Sequence, residues 1–172
     1  DVAQRNGKQT YYSKKAIEKT VKHTIALEYG EVSDITEDMR LTFQPAGHLL
    51  GSSLCHLHIG KGLHNILYTG DYKIVPTRLM KGTDINLPDV DVLITESTYC
   101  DREHPDRKSQ EKELVRIVRG TLANDGIALI SGFAVGRIDE LLLVLDKYGI
   151  DYPVYVDGMA KKALTIINQN RN

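Results

Sequence analysis

The sequence has 172 residues, with 22 Lys and Arg against 23 Asp and Glu, a formal net charge of −1. That balance excludes a strongly cationic protein that grips nucleic acid through bulk charge, while leaving open an enzyme that meets nucleic acid in a local cleft. At 41% hydrophobic residues the chain can bury a core, its two cysteines lack the spacing of a thiolate metal site, and no apolar run nears the roughly 18 residues of a membrane span.

In chain order, Ser13 is positioned to cap a helix running to about Ile25, with Ile17, Val21 and Thr24 on one stripe. The Lys14, Lys15, Lys19 and Lys22 cluster reads as the solvated face of that helix, in preference to an RNA groove. Short strands are predicted at Met39–Gln44, Leu54–Ile59, Asn65–Thr69 and Val92–Thr95, separated by turns such as Gly60-Lys61-Gly62 and Asn86-Leu87-Pro88. From Asp106 the pattern becomes helix, strand, helix, strand, helix. Lys108–Leu122 is a helix stopped by Asn124-Asp125-Gly126, Ile127–Ile130 a buried strand, Arg137–Tyr148 a helix and Val154–Val156 a strand, with a last helix reaching Asn172. The fold class is therefore α/β, with a parallel layer in the second part. The polar stretch from Cys100 to Lys108, with Pro105 inside it, is the expected linker. It divides the chain into residues 1–100 and 101–172.

Four ordered segments carry chemistry. Gln44-Pro45-Ala46-Gly47-His48-Leu49-Leu50-Gly51-Ser52 places a histidine in a turn that glycines can fold tightly. Ile66-Leu67-Tyr68-Thr69-Gly70-Asp71 brings a carboxylate to a strand end, where it can bridge cations or simply cap a turn. Val92-Leu93-Ile94-Thr95-Glu96-Ser97-Thr98-Tyr99 repeats the strand-then-carboxylate design, and Glu96 there can hydrogen-bond a histidine in proton transfer. Gly132-Phe133-Ala134-Val135-Gly136-Arg137 opens a helix whose free amides, with Gly136 and Arg137, suit an RNA phosphate. The alternative is a plain turn with Arg137 paired to Asp139 or Glu140.

Together these segments resemble the metallo-β-lactamase fold enzymes of the β-CASP group, and most of all the archaeal homologues of the nuclease subunit of cleavage and polyadenylation specificity factor, which cut RNA. The resemblance implies an αββα-type metallo-β-lactamase portion followed by a parallel α/β β-CASP portion. It implies two zinc ions in the intact enzyme and RNA as substrate, in 3′-end processing or turnover. By the same resemblance His48 is a zinc ligand, Asp71 the bridging carboxylate, and Glu96 the acidic partner of a later histidine. A cytoplasmic, membrane-free protein is expected, and a homo-oligomer is compatible with it.

The chain departs from the group's pattern in ways that bear on activity. It has no HxHxDH, no histidine follows His104, and Cys100 and Ser131 stand where relatives often carry glycine and proline. The one HxH, His56-Leu57-His58, sits in an alternating run. It reads as a polar strand face opposite a core face of Cys55, Leu57 and Ile59, in preference to a metal pair. Starting at Asp1 and stopping at Asn172, the chain is expected to be an internal fragment, inactive alone. Residues 1–100 would be the C-terminal-side part of the metallo-β-lactamase domain and 101–172 the N-terminal part of the β-CASP domain. The rival readings are a non-catalytic scaffold subunit of an RNA-processing complex and another hydrolase on the same fold.

Overall fold

The computed structural model describes residues 7, 11–60, 63–84 and 86–169. Helix α1 spans Lys14–Lys22, its start capped by the Ser13 hydroxyl, which accepts from the Ala16 N–H at 3.2 Å. It ends before the expected Ile25, where the His23 N–H turns back to the Thr20 carbonyl. None of its residues is buried.

Five strands make one mixed sheet in the order β1-β2-β3-β4-β5: β1 Val32–Thr36, β2 Met39–Pro45, β3 Ser53–Ile59, β4 His64–Tyr68 and β5 Val92–Ile94. Four of these lie within a residue of the predicted strands. The fifth, β1, was not expected; it is held as a hairpin on β2 by Arg40 reaching Asp34 at 2.9 Å and Thr36 donating to Asp38 at 2.8 Å. Lys61 and Gly62 of the predicted turn, and the last three positions of the predicted final helix, Asn170 to Asn172, lie outside the described residues.

The topology sets up the site. Neighbours pair antiparallel from β1 to β4, and β5 then pairs parallel to β4. Strands β2, β4 and β5 therefore all run the same way, and the residues that follow them emerge at one rim of the sheet. Those residues are His48 after β2, Asp71 after β4 and Glu96 after β5. Ligands commonly meet the carboxyl ends of such strands.

The core under this rim is Ala46, Leu54 and Leu67, with Tyr72, Leu87 and Val90 packed on it. Here one expectation is corrected. The more buried face of β3 is the one that carries Leu54 and His56, not the Cys55, Leu57 and Ile59 face. His56 is only 1% exposed, opposite Leu67 of β4. Its imidazole tolerates burial because Nε2 lies 3.2 Å from the Asp89 carbonyl, which satisfies one polar atom.

Three helices follow: α2 (Arg107–Ala123), α3 (Arg137–Lys147) and α4 (Met159–Gln169). Asp106 caps α2 by accepting from the Ser109 N–H at 2.7 Å. The stop predicted at Asn124-Asp125-Gly126 is present: Asp125 takes φ +54° and the Gly126 N–H returns to the Thr121 carbonyl. The fold is α/β, but the two strands predicted in this half are not formed. Ile127–Ile130 and Val154–Val156 pair with no strand, and Leu129 is 96% exposed. A strand exists only through a neighbour's hydrogen bonds, and among the described residues no neighbour reaches these runs.

Candidate metal centre

The His48 turn is built from backbone that only glycine permits. Gly47 has φ +68°, and a Cβ there would stand 2.5 Å from the backbone of Lys73, Gly82 and Thr83. The turn closes on Ser52, whose Oγ accepts from the His48 and Leu49 amides at 3.3 and 3.1 Å and donates to the Leu49 carbonyl at 2.8 Å. The loop after Asp71 lies directly on this turn. The Lys73 N–H donates to the Ala46 carbonyl at 2.9 Å, and the Thr83 hydroxyl to the Pro45 carbonyl at 2.6 Å.

This packing brings His48 Nε2 to 3.8 Å from Asp71 Oδ2, both side chains partly open to solvent. The separation is too long for a hydrogen bond. It is a few tenths of an ångström above the roughly 3.3 Å that separates two ligands on one tetrahedral zinc with bonds of about 2.0–2.1 Å. An imidazole nitrogen and a carboxylate oxygen are the donor types zinc takes. As two of its ligands, His48 and Asp71 fit. They do not complete a site: among the described residues no group of three His, Cys, Asp or Glu could hold a metal ion.

Glu96 joins them from the neighbouring strand. The parallel register Tyr68↔Ile94 is extended by the Thr69 N–H donating to the Ile94 carbonyl at 3.0 Å, which places the two strand ends side by side. The Thr98 N–H, at 2.8 Å from Oε2, holds the Glu96 carboxyl below its ordinary range, with the Thr98 hydroxyl and then His48 adding to the effect. Glu96 is thus an ionised acceptor within electrostatic reach of His48.

The fourth segment also arrives at this turn. Gly136, with φ +78°, starts α3, and a Cβ on it would stand 2.3 Å from Leu49 Cδ2, one residue beyond His48. Both carboxylates weighed as partners for Arg137 are engaged elsewhere. Asp139 Oδ2 accepts from the Gly136 N–H at 2.8 Å, and Glu140 accepts from the amides of Arg78 and Leu79 at 2.8 Å each. Arg137 itself is exposed.

The HxH pair stands apart from this rim. The His56 and His58 rings touch edge to face with centroids 4.3 Å apart, and His56 is bonded to the Asp89 carbonyl. That is a packing role.

The sequence reading missed the ionic cluster behind the site. Arg78 binds Glu111 through Nε at 3.1 Å and Nη2 at 2.5 Å, and Arg107 binds Glu111 at 3.0 Å and Glu140 at 2.6 Å. Only the i,i+4 spacing of Arg107 and Glu111 was a visible signal. Two guanidinium groups hold the buried Glu111 carboxyl down at about 2, chiefly through the Arg78 hydrogen bonds.

No helix of the described residues is long and apolar enough to cross a membrane. No family model matches the chain. Over 96% of its length it is 44% identical to a protein of Pyrococcus horikoshii and 47% identical to one of Methanothermobacter thermautotrophicus, both named transcription termination factor FttA. A protein of the same name from a Lokiarchaeum species is 43% identical over 98% of the chain. The chain spans about a quarter of the length of these curated relatives, 26–28% of each. It is therefore a homologue of one segment of the archaeal proteins called transcription termination factor FttA.

Proposed function

We propose that this chain supplies part of the working site of a zinc-dependent ribonuclease of the metallo-β-lactamase, β-CASP type, which hydrolyses RNA phosphodiesters in 3′-end formation coupled to transcription termination. The observation that carries the reading is the convergence of His48, Asp71 and Glu96 on one sheet rim, with His48 Nε2 and Asp71 Oδ2 3.8 Å apart. The relatives' name, transcription termination factor, supports an RNA-directed role; a cytoplasmic setting is part of the proposal.

In this reading residues 1–100 are a portion of the metallo-β-lactamase domain and residues 101–172 a portion of the β-CASP domain. The remaining zinc ligands come from elsewhere in a longer protein, and the chain alone is inactive. Large apolar side chains left open support that, since Ile127, Leu129, Phe133 and Tyr155 are each at least 80% exposed.

Zinc, when bound, supplies Lewis-acid activation of water and neutralises charge on the phosphate. His48 and Asp71 hold it from the β2 and β4 ends. Glu96, kept ionised by Thr98, accepts a hydrogen bond and so orients a donor group, such as a histidine, beside the leaving oxygen; its low affinity for protons suits an orienting acceptor better than an acid. The exposed Arg137, which follows Gly136 where that residue meets Leu49, brings a guanidinium donor to the same turn for a substrate phosphate; the Gly136 amide is already given to Asp139 and serves the turn itself.

The test is cleavage of end-labelled single-stranded RNA by the full-length protein loaded with zinc, beside its Asp71→Ala variant. Cleavage lost in the variant supports the reading. Cleavage at an unchanged rate removes Asp71 from the site, and a folded, zinc-loaded protein that cuts no RNA favours the scaffold role.

A further inference from the structure

Helix α3 touches the His48 turn in two ways, and the two form a closed ring. The first contact is direct, Gly136 against Leu49. The second runs through Glu140, one helical turn further on, whose own N–H donates to the Gly136 carbonyl at 3.0 Å. Its carboxylate grips two consecutive amides, Arg78 through Oε1 and Leu79 through Oε2. Those residues sit in the loop that Thr83 and Lys73 tie back to Pro45 and Ala46, three and two residues before His48. The loop is stiffened by Thr77 and Met80, which bond to each other at 2.8 and 3.0 Å.

Glu140 is 8% exposed, and its charge is balanced by Arg107, which is shared with Glu111 and so tied to Arg78 as well. A buried carboxylate that spends both oxygens on loop amides is strongly bound in place, because each bond is charge-assisted and shielded from water. The ring thus ties the start of α3 both to the loop at Arg78 and Leu79 and to the turn at Leu49. A shift of α3 pulls on the Arg78–Leu79 amides or opens the Gly136–Leu49 contact, and both changes reach the backbone on either side of His48.

We propose that Glu140 is a positioning residue of the His48–Asp71 site, clamping the loop that follows Asp71 to helix α3 and thereby setting the seat of the His48 turn. It touches neither metal nor substrate. The inference takes from the proposed function only that His48 and Asp71 belong to the working site.

Amide hydrogen exchange on the full-length protein tests this, comparing wild type with Glu140→Gln and with Glu113→Gln as control. Glu113 forms an exposed pair with Arg116 on α2, away from the ring. The glutamine keeps the shape but sets an NH2 against an amide donor and drops the Arg107 pair. Exchange at Arg78 and Leu79 is expected to accelerate about tenfold or more, and exchange at Ala46, Leu49 and Lys73 several-fold, with the β3–β4 ladder and the control unchanged. Glu140→Asp, which retains the charge, is expected to restore part of the protection. Acceleration confined to Arg78 and Leu79 overturns the proposal, because the clamp is then only local. Equal acceleration throughout the sheet also overturns it, because the loss is then global. If the protein cuts RNA, Glu140→Gln is further expected to lower kcat with KM little changed. Absence of cleavage would count against the ribonuclease reading and leave the exchange result to decide this one.

Discussion

Replacing Glu111 by glutamine probes the ionic cluster most directly. The carboxylate is 5% exposed and takes three hydrogen bonds, two from Arg78 and one from Arg107. Depression of its pKa from 4.5 to about 2 corresponds to a ceiling of roughly 3 kcal/mol, at about 1.4 kcal/mol per unit. Arg107 is 45% exposed and Arg78 25%, so water screens part of that, and about 2 kcal/mol at neutral pH is the working expectation. For a chain of this size that lowers Tm by about 4–8 °C. The sign of the pH dependence follows from the folded value lying below the unfolded one. The contribution is complete above about pH 4.5 and is lost as the pH falls towards 2. Urea unfolding of wild type and Glu111→Gln between pH 7 and pH 3 therefore gives two stability curves that converge on acidification. A difference under about 0.5 kcal/mol at pH 7, or one that stays constant down to pH 3, would refute the argument that the ion pairs account for it.

Other outcomes follow from the turn geometry and the site. Gly47→Ala is expected to destabilise by about 3 kcal/mol or more, seen as a large drop in Tm, because its Cβ would meet fixed backbone 2.5 Å away at φ +68°. Gly136→Ala should be milder, about 1–2 kcal/mol, since the atom it meets is the movable end of Leu49; Leu49→Ala in the same chain should recover the steric part in a double-mutant cycle. His58→Gln is expected to leave zinc content and RNA cleavage of the full-length protein unchanged, whereas His48→Ala should lower both, as read by metal analysis and a gel assay.

The sequence by itself determined the local structure and the order of the rim residues. Ser13 and Asp106 capped their helices because a side-chain oxygen reaches an amide two or three residues on, a contact that needs no distant partner. Alternating or apolar runs ending at His48, Asp71 and Glu96 marked three strand ends for the same reason. Tertiary structure decided what depends on neighbours far along the chain. It gathered those ends at one rim by making β2, β4 and β5 run in parallel, and it buried the histidine face of β3 against Leu67. Among the described residues it left Ile127–Ile130 and Val154–Val156 without the strand partners that would make them strands. It also joined Arg78 to Glu111 and Glu140 across 33 and 62 positions of sequence, spacings that no local pattern encodes, because a buried charge is stable only where folding brings its counter-charge.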